Sequence, residues 1–412
     1  MNSPVFLKRI ILNNYKSIKE CSVQPGPLTF LVGQNGAGKS NFLDALRLVT
    51  ESLNTSLEHA LRDRGGINEV RRRSAGHPTH FGIRLEWQLA DGTEGMYAFR
   101  VKSREKGGFA VQREECKIFG KNLGEDSFYK VEDGELKEHN IGSDLPINTD
   151  RLFLVMAAGV PKFKSLYNAL SHMGFYNLSP DEIRELQPSD AGEVLRRDGG
   201  NLASVLDMMK RENKETHDRV IDFLSTAVPG IQSVDVKHIG KKETLEFRQN
   251  VGNSSDPWRF MAENMSDGTL RALGVLTALF QSSNNSQKKV PFVGIEEPEV
   301  ALHPGAAGIL RDALLAASQK TQIIVTSHSP DLLDDKDISE SCIWPVINKN
   351  GETKMGPLDS AGKKAIKERL YTPGELLRIN QLEPDCTEYT TPTQPDLFEN
   401  YKHGPSKNYP NS

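Results

Sequence analysis

Leu28-Thr29-Phe30-Leu31-Val32-Gly33-Gln34-Asn35-Gly36-Ala37-Gly38-Lys39-Ser40 is the stretch that decides the fold. Its first five residues read as a strand. They run into G-x-x-x-x-G-K-S, a glycine-rich loop set ahead of a helix. Glycines let the backbone curl until successive N–H groups point at one anion. The helix that follows, from about Asn41, turns its positive end to the same place. Asn35, Gly36, Ala37, Gly38, Lys39, Ser40 and Asn41 are therefore candidate contacts for a nucleoside triphosphate. Lys39 would reach the β- and γ-phosphates, and the Ser40 hydroxyl would bind Mg²⁺.

The bulk numbers set the frame around this loop. The chain has 412 residues, 37% hydrophobic and 26% charged, with a net charge of −4. That is a globular composition with room for a large core and an insertion. It excludes a globally basic nucleic-acid coat, although not a local basic groove. No apolar run approaches the roughly 20 residues of a membrane helix. The N-terminus lacks a leader pattern. Cys21, Cys116, Cys342 and Cys386 lie far apart without C-x-x-C, which reads as reduced thiols in a cytoplasmic protein.

Periodicity predicts strands over Val5–Tyr15, Leu28–Val32, Phe81–Leu89 and Gly95–Val101, and a helix over Asn41–Leu61. Residues 151–225 read as mainly helical. Strand character returns over Ile231–Phe247, and a helix follows Ser266. Val290–Ile295 and Gln322–Thr326 are short apolar runs of the kind found at the centre of a parallel sheet. The fold class expected is α/β: a P-loop head with a mixed sheet core, an antiparallel β subdomain and a helical insertion. The divisions expected are 1–150, 151–225, 226–384 and a poorly ordered tail over 385–412.

The C-terminal half supplies the other candidate site residues. Phe292-Val293-Gly294-Ile295-Glu296-Glu297-Pro298-Glu299 is an apolar strand ending in acids. Beside a phosphate loop, such an end suits a metal and an attacking water. Glu296 is the candidate metal carboxylate and Glu297 the candidate general base. Ser327-His328 follows the second apolar run, so His328 could sense the γ-phosphate, although a lone His is commonly structural. Ser266-Asp267-Gly268-Thr269 reads equally well as a helix cap and as an anion site offered to a second molecule.

Together these elements resemble the ATP-binding cassette ATPases, in particular their RecF/SMC-like branch. Most of all, the chain resembles the stand-alone AAA-type ATPases related to the ATPase half of OLD (overcoming lysogenization defect) nucleases. Leu12-Asn13-Asn14-Tyr15-Lys16-Ser17-Ile18 is similar to that branch's opening strand, which implies that Tyr15 and Lys16 lie against the nucleotide. Ser266–Arg271 looks like its signature, Ile295–Pro304 like its Walker B with D-loop, and His328 like its switch histidine. Tyr371–Leu377 resembles a C-terminal run common in these ATPases. Glu296 stands where cassette ATPases more often have Asp. No Q-loop is evident, Gln88 being a weak candidate. The resemblance implies ATP hydrolysis with Mg²⁺ in a homodimer, in which Lys39, Ser40, Glu296, Glu297 and His328 of one chain face Ser266 and Gly268 of the other.

The task served is less legible. No long heptad run points to extended arms. Only a short stretch follows His328, so a nuclease domain is not expected within it. Asp331, Asp334, Asp335 and Asp337 read as a helix start rather than a metal centre. A separate nuclease or effector subunit is the expected partner, by resemblance, in anti-phage defence or DNA repair. The cluster Arg62, Arg64, Arg71, Arg72 and Arg73 could contact DNA phosphates, or could be a solvated or structural set; Lys237–Lys242 is a second stretch of this kind. The competing expectation is a regulatory ATP switch that acts on protein or RNA partners and binds no DNA.

Overall fold

The computed structural model describes residues 5–74, 76, 78–119, 126–141, 146–252, 256–281, 290–335, 338–385 and 397–398. A six-stranded sheet forms its centre, in the order Glu352–Met355, Ile343–Lys349, Leu28–Val32, Gln322–Ser327, Phe292–Glu296 and Gly174–Tyr176. All neighbours are parallel except the edge pair Ile343–Lys349 and Glu352–Met355. The three middle strands are buried along nearly their whole length. Both faces are covered, as near-continuous apolar runs require.

Alternation divides the core. Leu31, Phe292 and Ile324 face the helix Lys39–Asn54, which packs between the central sheet and a seven-stranded antiparallel sheet. That second sheet brings Ile10, Leu12, Ile83, Leu85 and Phe99 to the same core. Phe30, Val293, Ile295, Ile323 and Val325 point the other way. They pack with the helices Leu202–Glu212, Lys214–Ala227, Asp267–Phe280 and Pro304–Ser318. A smaller sheet, built on Ile231–Ile239 and Lys242–Gln249, lies over this helical layer.

Several expectations need adjustment. The helix predicted over Asn41–Leu61 is two helices, Lys39–Asn54 and Leu57–Arg62. Ser56 ends the run because its hydroxyl accepts from the His59 N–H (3.1 Å) and caps a new helix. Residues 151–225 are not helical throughout. Gly174–Tyr176 pairs with Phe292–Glu296 inside the central sheet, and Gln187–Pro188 joins the smaller sheet. Of the expected disordered tail, residues 386–396 and 399–412 lie outside the described residues, yet Leu397 and Phe398 are buried against the antiparallel sheet. Cys386 also lies outside. Cys21 and Cys116 are buried free thiols, and burial pushes Cys21 up to about 12. Among the described residues no helix is long and apolar enough to cross a membrane.

Candidate active site

Three adjacent parallel strands deliver the site. Leu28–Val32, Gln322–Ser327 and Phe292–Glu296 end side by side, so the P-loop, Ser327-His328 and Glu296-Glu297 emerge at one sheet edge. This is the crevice beyond the carboxyl ends of the strands, where open α/β sheets bind ligands. Gly36 and Gly38 adopt φ of +79° and +104°, which glycine alone adopts at low cost. A Cβ at Gly38 would meet Thr353 Oγ1 at 2.0 Å. The Thr353 hydroxyl donates to the Ala37 carbonyl (2.9 Å) and lies 2.7 Å from Ser17 Oγ, which also accepts from Asn41 Nδ2 (2.7 Å). An edge strand thus holds the phosphate loop from behind, through a threonine that carries no motif.

Lys39 is buried, and its ammonium donates to the carbonyls of Gly33 (2.7 Å) and Gln34 (3.0 Å). Burial lowers its pKa, while Glu297 and Glu299 act in the opposite sense. Ser40, in the first helical turn, is exposed.

Tyr15 and Lys16, expected beside the nucleotide, both direct their side chains to Asp44. Tyr15 is fully buried, its hydroxyl donates to Asp44 (2.8 Å), and its ring meets Phe81 edge-on at 5.7 Å. Lys16 pairs with the same carboxylate at 2.6 Å. Asp44, on the P-loop helix, is also held by Arg47 (2.5 Å) and by the buried Arg64 (2.9 Å). Burial would raise its carboxyl, but Arg64, Lys16 and Arg47 together hold it well below the usual carboxylate range. Part of the arginine cluster is structural, while Arg62 and Arg73 are exposed. Besides Arg64, Arg72 donates to the Ser17 carbonyl (2.9 Å), Arg71 to Pro78 (2.8 Å), and Arg73 pairs with Glu69.

On the acidic side Glu297 takes φ +45°, a left-handed conformation unusual for its type. Thr326, Arg271 and Val300, whose N–H donates to the Glu297 carbonyl at 3.2 Å, hold its backbone. Its N–H donates to the Thr326 carbonyl (3.0 Å), and its own carbonyl accepts from Arg271 (3.2 Å), which also reaches the Leu178 carbonyl (3.0 Å). His328 Nδ1 lies 3.2 Å from Glu297 Oε1 but makes no hydrogen bond, so the pair is adjacent rather than locked. Glu299 is buried, accepts from the Ser327 hydroxyl (2.5 Å), and is raised by burial. Glu296 pairs with Arg197 at 3.1 Å.

Ser266 is the cap expected of it, accepting from the Thr269 N–H (3.2 Å). A Cβ at Gly268 would meet the Ala301 carbonyl at 2.4 Å, so glycine allows the signature and D-loop to touch. The cleft beside Ser266 is lined by Gly268, Thr269, Ala301, His303 and residues 226–229, and by no P-loop residue. Gln88 sits at the far end of the antiparallel sheet, paired with Glu94. Its neighbouring strand runs from Leu7 beside Trp87 to Tyr15, roughly 26 Å away at strand rise, so Gln88 does not reach the P-loop. Asp331 and Asp334 are bound by Arg378 (2.7 and 2.9 Å) and Asp335 by Arg311 (2.6 Å); Asp337 lies outside the described residues. The Arg378 pairs pin the helix Pro373–Arg378, which overlaps the Tyr371–Leu377 run.

Sequence reasoning missed Thr353, Arg271, Glu299 and Arg197. Two of them had a signal: Arg271 closes the signature run, and Glu299 is the last acid of the strand-end run.

Comparison with known proteins agrees with this geometry. Residues 6–152 match the model described as "AAA ATPase domain", and residues 157–334 the model "AAA domain, putative AbiEii toxin, Type IV TA system". The OLD nuclease of Thermus scotoductus is 24% identical over 362 residues, 80% of this chain and 60% of that protein. The Old nuclease of Escherichia phage P2 is 22% identical over 384 residues, 89% of this chain and 62% of that protein. The chain thus spans about three fifths of the length of these curated relatives. A structure of an Smc head bound to the C-terminal winged-helix domain of ScpA aligns with TM-score 0.54 at 15% identity, over 87% of this chain and 99% of the other. A Pyrococcus furiosus Smc head with an extended coiled coil gives 0.53 at 12%, over 89% and 99%. By these domain matches the chain is an AAA-type ATPase; its fold is like that of Smc heads, and it is similar at low identity to part of the OLD nucleases.

Proposed function

We propose that two copies of this chain close around two ATP molecules, and that hydrolysis reopens them. The observation that carries this reading is the separation of the half-sites. Lys39, Glu297 and His328 gather at the sheet edge, whereas the capped N-terminus at Ser266 opens into a cleft without P-loop residues. A helix N-terminus is an anion site, and a second chain's γ-phosphate is the anion that suits it here. Ser40 and Glu296 would hold magnesium, since hydroxyl and carboxylate oxygens suit a hard cation. Glu297 would take the proton of the attacking water, with His328 beside it to orient the γ-phosphate.

The closed and open states would regulate a DNA-directed partner, such as a separate nuclease, in anti-phage defence or DNA repair. Relationship to the OLD nucleases supports this setting. The internal pairing of Arg64, Arg71 and Arg72 favours the second reading, a switch that acts on protein or RNA without DNA.

Complementation tests the shared site. Lys39→Ala and Ser266→Arg chains should each be inactive, and a mixture should regain turnover because one composite site is intact. No recovery in the mixture would remove Ser266 from the partner's site. Salt-dependent DNA binding with a non-hydrolysable ATP analogue separates the two readings: no affinity at low salt in either nucleotide state rejects the DNA-directed one.

A further inference from the structure

Leu397 and Phe398 lie far beyond the last element of the fold, yet they are 0% and 7% exposed. They pack on the outer face of the antiparallel sheet, opposite the face that covers the P-loop helix. With Ile11, Met96 and Ala98 they form a small apolar cluster separate from the two main cores. Register explains the seat. Ile11, Arg84 and Ala98 stand in one cross-strand row, and Gly82, Arg100 and Arg113 in the next. Side chains two apart share a face, so this one is a short apolar floor beside arginines, with Glu86 paired to Arg84 and Glu115 to Arg113.

The seat is shaped to a dipeptide. Gly82 lies inside a strand, where glycine is unfavourable; a Cβ there would meet Leu397 Cδ1 at 2.2 Å. Arg84 donates to the Leu397 carbonyl at 3.2 Å. The guanidinium groups of Arg113 and Arg100 lie 4.2 and 5.2 Å from the Phe398 ring centre, within cation–π range. In sequence the pair is flanked by Asp396 and Glu399. A pocket for one apolar side chain, a stacked aromatic and one main-chain hydrogen bond are the parts of a short-peptide site.

We propose that this groove is a recognition site for an extended Leu-Phe segment on a partner protein, and that the chain's own tail fills it in cis. Among the described residues the resting contact includes two buried side chains and the Arg84 hydrogen bond to the Leu397 carbonyl. Tethering raises its effective concentration to about the millimolar range, so it excludes weak competitors and yields to a tighter segment. The groove lies away from the nucleotide site, so its occupancy does not depend on the ATP reading above.

The test uses the full chain with L397A/F398A, which vacates the groove, and a fluorescently labelled peptide of residues 391–402. The vacated chain should bind this peptide at least tenfold more tightly than the wild-type chain, whose tail competes. A peptide carrying the same two alanines should not bind. Adding Gly82→Ala should block binding: once Leu397 is gone its nearest neighbour is the Phe99 carbonyl at 3.3 Å, so the chain should still fold. Arg84→Met should weaken binding as a second probe. Failure of the vacated chain to bind, or binding indifferent to Gly82→Ala and Arg84→Met, would overturn the proposal.

Discussion

Arg271→Ala perturbs the site without touching a motif residue of the P-loop or Walker B. Arg271 belongs to the signature helix, and its guanidinium holds the carbonyls of Glu297 and Leu178. A hydrogen bond from a charged donor contributes about 1.5–3 kcal/mol. A non-glycine residue at a left-handed φ costs about 1–3 kcal/mol and persists only when its surroundings hold it. Without Arg271, Thr326 and the Val300 N–H (3.2 Å) still restrain Glu297 at +45°, but the charged donor on its carbonyl is lost. A loss of about 1.4–2.8 kcal/mol at the transition state corresponds to a fall of about 10–100-fold in kcat. KM for ATP should stay within about twofold, because Arg271 makes no contact with the loop that cradles phosphate. Arg271→Lys, with its charge and one donor, should recover part of the rate. The assay is steady-state ATP turnover alongside binding of a fluorescent ATP analogue. An unchanged kcat would refute the argument, and so would a rise in KM at constant kcat.

Asp44→Asn should cost about 3 kcal/mol in urea unfolding at pH 7, since it strands the buried Arg64 with Glu51 as its remaining acid. The folded Asp44 carboxyl lies below its free value, so its contribution is complete above about pH 4 and is lost as pH falls through the folded value. The gap between wild type and variant should therefore narrow in acid, and equal acid slopes would contradict the pairing. Thr353→Val should weaken ATP binding about tenfold, because it leaves the Ala37 carbonyl unpartnered behind the P-loop; isothermal titration reads this directly.

The site was legible where chemistry and local periodicity coincide. The P-loop is contiguous, its glycines are fixed by backbone conformation, and the two acidic or polar strand ends follow nearly all-apolar runs. What escaped notice acts across the chain. Thr353 meets Ala37 because Glu352–Met355 is the edge strand beside the P-loop, and nothing near Thr353 in sequence signals that register. Arg271 was visible within the signature, but its carbonyl partners belong to Leu178 and Glu297, on other elements. Tyr15 and Lys16 were placed on the nucleotide by resemblance, whereas the buried charge of Asp44 draws both inward. Gly174–Tyr176 is too short for its periodicity to distinguish a core strand from the helices around it.

The central claim is a pair of ATP sites shared between two chains, and the mass of a hydrolysis-impaired variant tests it most directly. Glu297→Gln should keep ATP binding while turnover falls by roughly 10²–10⁴ for loss of a general base. By light scattering, it should move from the 45.8 kDa chain to twice that mass when ATP and Mg²⁺ are added. Ser266→Arg in the same background should hold it at the single-chain mass. An ATP-loaded Glu297→Gln chain that stays at one mass, or a doubling indifferent to Ser266→Arg, would contradict the account.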